Sequence, residues 1–149
     1  MTARTTAFAL PAAAAVATGT LLATAAPAAA ADGSSFATVY SLAQGACVAQ
    51  VDASVNGNAY PGHAAFTVST IMFGAGTCQL PITLNWRNLD TGDTGTEVRS
   101  ANGPGHWTTD PYSSLFQPGS GRFTATITVG AAHLPEPDSV EFVVPEFPH

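Results

Sequence analysis

Lysine is absent from these 149 residues, arginine occurs four times, and charged side chains make up only 9% of the chain. One of the four cations, Arg4, lies in the N-terminal leader. Arg87, Arg99 and Arg122 then stand against ten acidic residues, a formal charge of −7 for everything beyond Ala31. An anionic body with so few cations repels phosphate backbones and anionic lipid, which argues against nucleic acid or a membrane surface as partner. Cysteine is scarce too, with only Cys47 and Cys78. Two thiolates fall short of a four-ligand zinc site, and no Cys-x-x-Cys spacing marks a redox centre. His63, His106, His133 and His149 are scattered, without the close pairing that announces a zinc site, so they read as solvated loop residues. No metal or cofactor is expected. The G-x-S-x-G nucleophile elbow is also missing, since Gly119-Ser-Gly121 lacks its spacing.

The leader is the strongest positive feature. Arg4 is followed by a weakly apolar run from Thr5 to Ala25 and then by Ala26-Pro-Ala-Ala-Ala-Ala31 before Asp32. That order is the pattern of a secretory signal peptide over residues 1–31, with cleavage after Ala30 or Ala31. No second apolar stretch follows, and the lipoprotein Cys at the cleavage point is missing. Leu134-Pro-Glu-Pro-Asp138 opens like a wall-sorting signal but has neither the Thr-Gly pair nor an apolar tail. The expectation is a secreted, extracellular, untethered single domain over 32–149, with no membrane association after cleavage. In an oxidising compartment, Cys47 and Cys78 form one structural disulfide.

Alternation of apolar and polar residues organises the rest. Phe36–Leu42 gives one strand, and Cys47, Ala49, Val51, Ala53 and Val55 share one face of the next. Asn56–Gly62 is turn chemistry. Ala64–Phe73 is apolar on both sides, hence central, and Gly74–Thr77 turns it. Cys78, Leu80, Ile82, Leu84 and Trp86 share a face of the fourth strand, where Pro81 demands a sheet edge or bulge. Thr96–Ser100 is a weaker fifth strand. Asn102–Ser120 reads as a long irregular loop, in which Asp110-Pro111 caps about one turn of helix through Phe116. Phe123, Ala125, Ile127 and Val129 face inward on the sixth strand, and Val140, Phe142 and Val144 make the seventh. Seven short strands separated by turn clusters predict an all-β, antiparallel two-sheet sandwich with one disulfide.

Gly119-Ser-Gly-Arg-Phe-Thr-Ala-Thr-Ile-Thr-Val129 resembles the sixth strand of immunoglobulin-like domains, whose pattern is Asp-x-Gly-x-Tyr-x-Cys. Gly121 matches, while Gly119, Phe123 and Ala125 replace the Asp, the corner Tyr and the Cys. The resemblance covers the last third of the chain and implies an immunoglobulin-like fold, but not that family's disulfide or tyrosine corner. The Ala-rich, Lys-free export style is similar to small secreted actinobacterial proteins.

Asp90-Thr-Gly-Asp-Thr-Gly95 repeats the aspartic-protease triplet but lacks its apolar lead-in and brace, so it reads as turn chemistry. Asp90, Asp93 and Glu97 could otherwise offer oxygens to Ca²⁺. Trp107, Tyr112 and Phe116 on the long loop are the candidate partner-binding residues. Phe116 is the most suited of them to closing the core, while Trp107 and Tyr112 fit closure and recognition equally. The resulting expectation is a monomeric, non-enzymatic binding or structural module, its partner an unidentified protein, a cell-wall glycan or a small ligand. The alternatives are a carrier of a small apolar ligand, as in the acidic secreted actinomycete chromoprotein carriers, or a hydrolase with a dispersed site. An exposed aromatic surface favours the first, a deep apolar cavity the second, and a cleft of converging His and carboxylate groups the third.

Overall fold

A computed structural model of the chain describes residues 33–130 and 132–146, so the leader and His149 lie outside the described residues. Alternation sets the faces, because successive side chains of a strand point to opposite sides. In β2 (Val39–Tyr60) the inward set Val39, Cys47, Ala49, Val51, Ala53 and Val55 is buried. In β3 (His63–Asn88) it is Phe66, Val68 and Met72, then Cys78, Leu80, Ile82 and Leu84. Phe123, Ala125, Ile127 and Val129 of β7 (Gly121–Val129) and Phe142 and Val144 of β9 (Ser139–Val144) complete the core. At its centre Phe123 stacks on Phe142 at 5.0 Å, with the Trp86 ring edge-on to Phe123 at 5.8 Å.

Straight, the 26 residues of β3 would extend about 85 Å, several times the radius of gyration of about 13 Å for a domain this size. The strand therefore has to bend, and it does so at Gly74–Thr77. There the pairing with β2 slips from Ala46↔Ala75 to Gln44↔Gln79, so one residue of β2, Gly45, faces three of β3, Gly76 to Cys78. Gly45 and Gly76 supply the left-handed backbone at this bulge, with φ of 91° and 77°. The Cys47–Cys78 disulfide bridges the slip, its Cα atoms 6.1 Å apart.

Past the bend β3 changes neighbours. One edge carries β2 as far as Gln79 and β7 from Ile82 onward. Pro81 sits in the interval, where that edge has no ladder for its missing N–H to interrupt. The other edge carries β4 (Thr94–Gly103), β5 (Gly105–Thr108) and β6 (Leu115–Phe116) in succession. β1 (Gly33–Ser35) pairs with the end of β2, β8 (His133–Leu134) with its beginning, and β9 with β7. All nine strands belong to one antiparallel sheet that curls nearly into a barrel. Across the seam Ser34 Oγ donates to the Glu141 carbonyl at 2.6 Å, and the Ala37 N–H donates to Asp138 Oδ1 at 3.1 Å.

The all-β antiparallel class and the single disulfide hold, and three expectations are corrected. The strands number nine among the described residues, because the first two expected strands run together as β2 and the next two as β3, while four short ones are added. Asn102–Ser120 is not one irregular loop, since it contains the end of β4, all of β5 and β6. Asp110 does cap a turn, its Oδ1 accepting the Tyr112 and Ser113 N–H groups at 2.9 and 3.4 Å and its carbonyl accepting that of Ser114. The turn stops there, because Leu115 and Phe116 pair with Ala65 and Ala64, and no helix occurs among the described residues.

Candidate functional site

The three candidate rings have different surroundings. Phe116 is buried, 6.5 Å from the Trp86 ring. Trp107 lies on β5 opposite Thr70 and packs partly buried against the core. Tyr112, on the Asp110–Ser114 turn, is 89% exposed.

The double Asp-Thr-Gly forms the tip of the β3–β4 hairpin. Buried Asn88 organises it, its Oδ1 accepting the N–H groups of Asp90 and Thr91 while its Nδ2 donates to the Ser120 carbonyl. Asp90 accepts the Arg122 backbone N–H at 2.8 Å and two guanidinium bonds at 3.1 and 2.9 Å, which ties the hairpin to the start of β7. Asp93 instead accepts the Thr91 hydroxyl. Glu97 faces Arg99 at 3.5 Å, so the three carboxylates do not converge. Among the described residues no group of three or more His, Cys, Asp or Glu is placed to hold a metal.

The Arg122 backbone N–H, and then its guanidinium, hold the Asp90 carboxyl below the usual carboxylate range. A carboxyl whose folded pKa is depressed stabilises the fold above its unfolded pKa of about 3.9, and that contribution is lost as pH falls through the folded value. Asp90→Asn should therefore melt lower than wild type at pH 7, with the gap narrowing as the medium is acidified below about pH 4. A gap in melting temperature that stays constant across that range would show that the ion pair does not govern it.

Sequence reading missed the role of Arg99. Its position opposite Ile82 turns it inward, its guanidinium lies 5.7 Å from the centre of the Phe66 ring, and its Nη2 donates to the Ser114 carbonyl at 3.1 Å. An inward cation on an edge strand opposes pairing with another chain, and here it also ties β4 to the turn before β6. His106 Nε2 lies 3.2 Å from Ser69 Oγ on the outer face, but none of the hydrogen bonds among the described residues places a carboxylate on its other nitrogen. His133 pairs with Glu136, and His63 with the Pro61 carbonyl.

The most distinctive surface is the outer face of β2, β3 and β8. Tyr40, Leu42, Val48, Phe73 and Leu134 are each about half exposed or more, Phe73 at 67% and Leu134 at 74%. Register makes them contiguous: Tyr40 lies opposite Leu134, and Val48 opposite Phe73. Tyr40, Leu42, Val48 and Leu134 border one depression of about 270 Å³. A larger depression of about 520 Å³ lies between β2 and β7 over Leu80 and Pro81, with Leu42 on its rim. Parity alone turns these residues outward, but their adjacency arises from strand pairing, which no single stretch of sequence displays. No family model, curated protein or solved structure matches the chain.

Proposed function

We propose that this chain is a secreted, non-enzymatic extracellular binding or structural module with an immunoglobulin-like sandwich. The observation that carries this reading is the contiguous apolar face of Tyr40, Leu42, Val48, Phe73 and Leu134, since large exposed apolar patches mark interaction sites. The buried disulfide is compatible with an oxidising compartment. The sandwich reading is supported by β3, whose first half pairs with β2, β5 and β6 and whose second half pairs with β4 and β7, as a strand does when it passes from one layer to the other.

On this reading recognition sits on the sheet face, with Tyr112 outside it. Purified protein immobilised and washed with culture medium and cell-wall extract should retain a protein or glycan component. Phe73→Ser and Tyr40→Ser should each lower that retention roughly tenfold, with little change in melting temperature. Tyr112→Ala should leave it unchanged. Loss on Tyr112→Ala alone would move recognition to the turn, and retention indifferent to all three variants would remove the basis for the reading.

A further inference from the structure

We infer that the occupant of this outer face is a second copy of the same chain, docked face to face about a twofold axis, an inference that rests on reading the face as a recognition surface. The face carries a knob and a hollow side by side. The knob is the Phe73 ring, and the hollow is the depression bordered by Tyr40, Leu42, Val48 and Leu134. Val48, on the rim of the hollow, lies directly opposite Phe73 in the β2–β3 register. A twofold axis lying in the plane between the two faces, at right angles to the line from knob to hollow, sets each copy's knob over the other's hollow, which is the reciprocity an isologous interface requires. The hollow, about 270 Å³, is shallow and open toward solvent, so a ring can lie in it from above.

Charge selects the same occupant. The outward positions of β2 from Tyr40 to Gln50 are Tyr40, Leu42, Gln44, Ala46, Val48 and Gln50, and Ile71, Phe73 and Ala75 continue the surface on β3. None is an Asp, Glu or Arg, although the chain beyond Ala31 carries a formal −7. Of the charged groups that adjoin this face, Asp52 accepts a hydrogen bond from Gln50 and the exposed Glu136 pairs with His133 on the rim of the hollow, so two copies can bring the strands between them together without burying a carboxylate. The patch is two strands wide at each level, because β8 flanks β2 at Tyr40 and Ser41 and β3 flanks it from Gln44 on, and so small a contact places the association among the weak ones. Sheet faces pack in this manner when apolar side chains from both sides interdigitate.

Sedimentation velocity on the purified, oxidised protein from about 1 to about 200 µM tests this, the range in which an interface of this size associates. The expected result is a concentration-dependent passage from monomer to dimer that tightens with added salt, as screening reduces the repulsion between two like-charged bodies. Phe73→Ser should weaken the dimer at least tenfold, as should Leu134→Ser on a different strand, whereas Tyr112→Ser should not. A wild type that stays monomeric throughout overturns the inference, as does a dimer that tolerates both Phe73→Ser and Leu134→Ser. If the monomeric protein still shows Phe73-dependent retention of a wall glycan or another protein, self-association falls while the recognition face stands. If it shows neither, both fall.

Discussion

Cys47→Ser should lower the free energy of unfolding by about 3–4 kcal/mol, a large share of the 5–15 kcal/mol that holds a typical domain together. The bridge closes a span of 31 residues, which in the loop-closure account restricts the unfolded chain by that amount. Its position adds a local reason. Between Ala46↔Ala75 and Gln44↔Gln79 the β2–β3 ladder is interrupted, so the disulfide joins the two strands where backbone pairing does not. Both sulfurs are buried, and the serine would place a hydroxyl among apolar neighbours beside an unbridged Cys78. Urea denaturation of oxidised wild type and variant measures the difference. An unchanged midpoint would show that the bulge holds without the bridge.

A comparable loss, about 3–5 kcal/mol, is expected for Phe123→Ala. This ring is fully buried and lies between the stacked Phe142 and the edge of Trp86, so its removal leaves a cavity that two other large rings would have to fill. The same substitution should shift Trp86 fluorescence to longer wavelength as water reaches that ring. A loss below about 1 kcal/mol, with unchanged emission, would mean that the core closes over the gap.

Phe123 also illustrates what could be read from the chain before any fold was known. Alternation put Phe123, Ala125, Ile127 and Val129 on one inward face, and the structure buries all four. The inward sets from Cys47 to Val55 and from Cys78 to Leu84 were legible in the same way, because burial on one side of a pleated strand imposes a period of two. Gly74–Thr77 was not, since a bulge that bends a strand and a turn that ends one draw on the same residue types. β5 and β6, of four and two residues, are too short for periodicity to register, so Asn102–Ser120 read as loop. Ala64–Phe73 was rightly central, being paired on both edges, yet its outward Phe73 is exposed. Central position in a sheet covers a strand's edges and says nothing about its outer face. The contiguous face became visible only through the register, which joins residues as distant in sequence as Tyr40 and Leu134.

β3 pairs directly with five other strands, and this gives the molecule no separable half. Of the remaining ladders, β1 and β8 reach the sheet through β2, and β9 through β7. Loss of residues 63–88 would leave β1, β2 and β8 on one side and β7 and β9 on the other, joined only across the seam, and such fragments are marginal in water. Unfolding should accordingly be a single cooperative event rather than a peeling of layers. Folding inherits the converse: ladders such as Thr70↔Trp107 and Ile82↔Val129 close over long stretches of chain, so assembly has to await non-local encounters around one strand. Tolerance to cutting or insertion then belongs to the solvent-facing tips, Pro61-Gly62 and Thr91-Gly92, and ends where β3 begins.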